Sequence, residues 1–203
     1  ISLDLSNFET SKVKSMERMF QGCKNLINLD ITNFNTKNVE NMEGLFQGCS
    51  KIKSLNLSNF NTSNVKNMRL MFHQCKSLTS LDLLNFDTSK VNNMNKMFSE
   101  CLSLISLDLS NFITTQINDM DGIFFSCPKL EYIYFKNVTI KKSTSISYLF
   151  SLDDNKAILC SFTNDLIKYF TKYQMIKCIN DLITFDSPQY YCMMRQNFYS
   201  NKY

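Results

Sequence analysis

Four aspartates and one asparagine recur at a constant interval of 26 residues: Asp4, Asp30, Asn56, Asp82 and Asp108. Carboxylates held side by side can bind a cation or dock a basic segment. In strands about 4.8 Å apart they also repel one another by roughly 1 kcal/mol per adjacent pair in a water-like dielectric. That repulsion needs an answer. Water, salt and hydroxyls supply the ordinary one, and two such rows flank the carboxylates: Ser2, Asn28, Ser54, Ser80 and Ser106 on one side, Ser6, Thr32, Ser58, Leu84 and Ser110 on the other. A bound cation or a basic partner segment supplies the other, strongest at Asp82 and Asp108, where no Asn interrupts. The candidate binding residues are therefore Asp4, Asp30, Asn56, Asp82 and Asp108, with Ser54, Ser80 and Ser106.

Other chemistry is poorly provided for. Cys23, Cys49, Cys75, Cys101 and Cys127 share one column of the repeat, on its apolar face, and an odd set in equivalent positions cannot pair completely. They read as buried thiols that pack like small hydrophobes. Cys160, Cys178 and Cys192 stand outside the repeat, at spacings that match no Cys-x-x-Cys metal signature. A disulfide within this trio would suit a secreted chain. His73 is the single histidine, and its column mates Gln21, Gln47, Ser99 and Phe125 suggest a solvated position. A nucleophile pair with Cys75 would need that thiol exposed. There is no Gly-rich phosphate loop and no nucleophile elbow. The sequence offers no catalytic residue, no metal ligand set and no cofactor site.

The elements that position these rows follow from the hydrophobic period. In the first half of a unit, Leu26-x-x-Leu29-x-Ile31-x-Asn33-Phe34, Leu29, Ile31 and Asn33 alternate onto one side as in a short strand. The residues between them project onto the open face. In the second half, Val65, Met68, Met71, Phe72 and Cys75 fall on one face of a helix of roughly 10 residues. Thr62 and Ser63 precede that run, where a side-chain oxygen can cap the first free N–H groups. One unit cannot stand alone. It would bury about eight large apolar side chains at roughly 1.5–3 kcal/mol each, against about 1.5 kcal/mol of conformational entropy for every residue ordered. Neighbouring units must share their faces, which is the logic of a solenoid.

The pattern Leu-Asp-Leu-Ser-Asn-Phe-x-Thr-Ser-x-Val-x-x-Met-x-x-Met-Phe-x-x-Cys-x-x-Leu resembles the BspA-like 26-residue repeat of microbial surface proteins, and its Leu-x-x-Leu-x-Leu strand resembles the leucine-rich repeat. One departure is that Asn7, Asn33, Asn59, Asn85 and Asn111 lie two residues after the last apolar strand position, where the commoner leucine-rich pattern has three. The expected fold is α/β: a leucine-rich-repeat-like, right-handed solenoid of short parallel strands and short helices, with a C-terminal helical cap. Residues 1–152 form the solenoid, with five regular repeats to 129 and a decayed sixth over 130–152. Residues 153–203 form the cap and a Cys- and Tyr-containing tail, the cap being an amphipathic helix over 164–179.

Net charge is +4, and the repeats to Lys129 are nearly neutral, with 13 Lys and Arg against 12 Asp and Glu. Lysines are scattered along the chain rather than clustered, which argues against nucleic acid as a partner. No run of 18 apolar residues exists, so no membrane-spanning helix is expected. Ile1 aligns with Ile27 and Ile105, so the chain opens inside a strand, and a longer protein carrying any export signal upstream is expected. The resemblance implies a non-enzymatic binding or adhesion module at the cell surface, or outside the cell, holding a protein or cell-surface ligand on its concave face. The alternatives are an intracellular interaction scaffold and a targeting module of an enzyme whose catalytic domain lies outside this stretch.

Overall fold

The computed structural model describes residues 3–135, 138, 139, 141 and 143–149, together with the backbone of 158–161 and 175–177. Successive copies of the repeat run parallel and hydrogen-bond one another. Bridges join Ser15 to Asn41, Asn41 to Asn67, Asn67 to Asn93, Asn93 to Asp119 and Asp119 to Ser145, so every step is one repeat length. Four strands, β1 (Ser106–Asp108), β2 (Tyr132–Tyr134), β3 (Ile158–Ser161) and β4 (Met175–Lys177), form one parallel sheet in that order. The same step carries Ser106 to Tyr132 and Tyr132 to Ile158. β4 then joins β3 with a shorter step, Leu159 opposite Met175. A strand was expected in every repeat. Among the described residues, regular pairing at this position begins with β1.

The helix expected over the second half of each unit is replaced by a run of tight turns. In the central copy the N–H groups of Met71, His73 and Cys75 donate to the carbonyls of Met68, Leu70 and Phe72, at 3.2, 3.0 and 3.1 Å, each three residues back. The intervening amides leave the unit altogether. Those of Met68, Leu70, Phe72 and Gln74 donate to Asn93, Asn95, Met97 and Ser99 of the next copy, all at 2.9 Å. Leu70 and Gln74 have φ of 57° and 60°, in the left-handed region that the third residue of a type II turn requires. Glycine fills both places in the copy before, as Gly44 and Gly48.

Spacing between copies explains why turns win over helix. Helices need 8–10 Å from axis to axis, whereas Phe72 stacks on Phe46 and on Phe98 at 5.6 Å between ring centroids. Chains this close can share hydrogen bonds but cannot each wind a helix. Val65, Met68, Met71, Phe72 and Cys75 are buried all the same, because a run of three-residue turns returns to one face almost as often as a helix does. Among the described residues, no helix is long and apolar enough to cross a membrane.

Two polar columns tie the copies together. Thr10, Thr36, Thr62, Thr88 and Thr114 are all buried. The Thr88 hydroxyl donates to the Ile113 carbonyl at 3.0 Å and accepts from the Ile113 N–H at 2.7 Å, and Thr36, Thr62 and Thr114 treat Asn61, Asp87 and Thr139 in the same way. Thr62 therefore clamps the next copy instead of capping a helix in its own. The asparagines reach the other way: Asn85 Nδ2 donates to the carbonyls of Leu57 and Phe60, and Asn111 Nδ2 to those of Leu83 and Phe86.

The expected cap helix over 164–179 lies mostly outside the described residues, as do the side chains of Cys160, Cys178 and Cys192. Where its last turn was expected, Met175–Lys177 is strand β4.

Candidate ligand-binding face

Position 4 of the repeat folds as a side-chain-closed turn in each of the five regular copies. Oδ1 of Asp4, Asp30, Asn56, Asp82 and Asp108 accepts the backbone N–H two residues on, from Ser6, Thr32, Ser58, Leu84 and Ser110, at 2.9–3.1 Å. Short side chains with a carbonyl or carboxylate oxygen favour this geometry. The same device recurs twice more per unit, at Asn61 and Asp87 and at Asn41, Asn67, Asn93 and Asp119. The aspartate row thus has a local structural role before any ligand is considered.

All five residues of the row are exposed, as are Ser54 and Ser80, while Ser106 is half-buried at the start of β1. Register is fixed at the end of the row, where Ser106 and Asp108 lie opposite Tyr132 and Tyr134. In two of these turns, at Asp4 and Asp30, the hydrogen bonds favour the ionised carboxylate. The Asp30 carboxyl is held below its ordinary value by the Thr32 hydroxyl and then the Thr32 N–H, and that of Asp4 by the Ser6 N–H and then its hydroxyl. Each turn engages Oδ1, and Leu84 adds an apolar side chain, 59% exposed, to the flanking hydroxyl row.

His73 is not the solvated side chain that its column suggested. Its ring is half-buried under the next copy, with Nδ1 3.0 Å from the Ser99 carbonyl and Nε2 3.9 Å from Glu100 Oε1. Burial lowers its pKa, with Glu100 opposing. A hydrogen bond to a carbonyl assigns the proton to Nδ1 in the neutral ring.

Cys49, Cys75, Cys101 and Cys127 are buried, and each thiol donates to the carbonyl of a phenylalanine 29 residues earlier: Phe20, Phe46, Phe72 and Phe98. Cys23, expected to be equivalent, is only partly buried. Burial pushes the Cys49 thiol up to about 12 and raises Cys75 and Cys101 as well. A buried thiol that cannot ionise is no nucleophile. Native-state labelling should modify Cys23 while Cys49, Cys75 and Cys101 wait for denaturant; rapid native labelling of Cys75 contradicts this burial. The pH dependence has a definite sign. Above the unfolded thiol value of about 8.5 the native state holds more protons than the unfolded state. Stability contributed by these thiols is therefore fully present below that pH and declines as pH rises toward 12.

Two overlapping stretches, residues 1–102 and 56–158, match a family model described as Mycoplasma protein of unknown function, DUF285. The chain belongs to this family. The matched stretches together reach from the first copy into β3, so DUF285 describes the repeat itself. No curated protein and no solved structure matches the chain.

Sequence reasoning found the aspartate row but not the turns that it closes. Ser6, Thr32, Ser58 and Ser110, two residues after each Asx, were the available signal, since Asx-x-Ser/Thr is a turn pattern as much as a surface pattern.

Proposed function

We propose that the chain is a BspA-like, leucine-rich-repeat-type solenoid serving as a non-enzymatic binding and adhesion module at the cell surface, with a protein or cell-surface ligand seated on its concave face. One observation carries the reading. Asn56 closes its turn at 3.1 Å, the same distance as Asp82, so turn formation alone does not require a carboxylate. Even so, four of five copies place one there, and the equivalent column at Asn41, Asn67, Asn93 and Asp119 is mostly amide. A basic partner segment would answer the row's repulsion, and exposed Leu84 beside Asp82 gives that partner an apolar contact.

The test is the double substitution Asp82→Asn and Asp108→Asn, which keeps both turns and removes two charges. A Lys/Arg-rich peptide titrated onto the chain should bind roughly tenfold more weakly to the variant, with unchanged thermal unfolding. Unchanged affinity for the peptide would place the binding site elsewhere.

A further inference from the structure

The lysines that are scattered along the chain are gathered by the register of the copies. Around the buried column Val39, Val65, Val91 and Ile117, the residues on either side alternate outward. These flanking positions, with those of half-buried Val13 in the first copy, hold Lys12, Lys14, Lys66 and Lys90, and the single carboxylate among them is Glu40. The residues that follow the column are in single file. The Glu40 N–H donates to Lys14, that of Lys66 to Glu40, that of Asn92 to Lys66 and that of Asn118 to Asn92, at 2.8–2.9 Å.

A groove of about 560 Å³ opens along this file, lined by Lys66, Ser89, Lys90, Asn92, Gln116 and Asn118. Every lining side chain can donate a hydrogen bond, none is a carboxylate and none is aromatic. The charges are only partly answered within the chain. Lys66 Nζ pairs with Glu40 Oε2 at 2.6 Å, but Lys90 Nζ donates at 2.7 Å to Asn64 Oδ1, a neutral acceptor. Glu40 is held below its ordinary pKa first by the hydrogen bond and charge of Lys66, and further by the charges of Lys14 and Lys90.

From this groove we infer that the chain has a second binding site, on the lysine file and apart from the aspartate row, which takes an anionic polysaccharide. Lys66 and Lys90 meet its acidic groups, and the amides of Asn92, Gln116 and Asn118 with the Ser89 hydroxyl meet its sugar hydroxyls. The lining is drawn from three successive copies, Lys66 from one, Ser89, Lys90 and Asn92 from the next, Gln116 and Asn118 from the third, and that length suits a polymer rather than a single ion. A single-stranded nucleic acid fits less well, because its bases seek aromatic faces for stacking and the groove has none.

The experiment is a titration of the chain with heparin, neutral dextran and a single-stranded oligothymidine at low and physiological salt. Heparin should bind and dextran should not, with affinity falling as salt screens the contacts. Lys66→Gln with Lys90→Gln should weaken heparin binding about tenfold or more. The control pair Lys51→Gln with Lys53→Gln removes the same charge elsewhere and should leave affinity unchanged. Both pairs change exposed side chains, and thermal unfolding confirms that each variant is folded. The inference is overturned if heparin fails to bind, if the two pairs weaken it equally, or if the oligothymidine binds more tightly than heparin.

Discussion

Phe72→Ala lowers stability by about 3–5 kcal/mol, whereas Phe20→Ala costs clearly less, when both are measured by urea unfolding. Phe72 is 0% exposed and its ring lies between Phe46 and Phe98, 5.6 Å from each and nearly parallel to both. Removing it leaves a cavity walled by two neighbouring copies, neither of which can collapse inward without breaking its own hydrogen bonds to the next. Phe20 stacks within its column on Phe46 alone, and the first copy around it is loosely covered: Phe8 is 50% exposed where its column mate Phe34 is 3%. In a chain of neighbour-coupled units, a central position draws on two interfaces and a terminal one on a single interface. Equal losses at the two positions would contradict that coupling.

Thr88→Val is the second large effect, about 1–3 kcal/mol, because the N–H and the carbonyl of Ile113 both lose the buried Thr88 hydroxyl that serves them, at roughly 0.5–1.5 kcal/mol for each part-buried hydrogen bond. Shape is nearly conserved, so the loss reports the hydrogen bonds and not a cavity. Thr88→Ser keeps the hydroxyl and should retain most of the stability, losing only what the methyl group contributes. The pair can be compared by thermal unfolding. A valine variant as stable as the parent would mean that the Thr88 clamp, 3.0 Å and 2.7 Å from Ile113, adds nothing.

These two residues also show how far the sequence could be read. The phenylalanine and cysteine columns were visible because identical side chains recur at a fixed interval, and a repeated apolar column has few places to go except the shared interior. The helix was misread because Val65, Met68, Phe72 and Cys75 return to one face in a run of turns as they do in a helix. The deciding quantity, the distance between copies, is not encoded in any single unit. Thr62 was given a local capping role because local chemistry is what a short window shows, yet its partner is Asp87, 25 residues on. His73 was misjudged for the same reason: the next copy covers it through Ser99. The lysine groove needed the structural register, since Lys66 and Lys90 look unrelated along the chain. The aspartate row was legible as a row, and its turns became visible only with the backbone in place.

The central claim is that the backbone of the second half of each unit bonds to the next copy and not to itself four residues back. Trans-hydrogen-bond scalar coupling in the isotope-labelled protein identifies the acceptor of a chosen amide directly. The Phe72 amide nitrogen should couple to the carbonyl carbon of Met97, its partner at 2.9 Å. Coupling of that amide to the Met68 carbonyl, the acceptor an α-helix would use, would contradict the account.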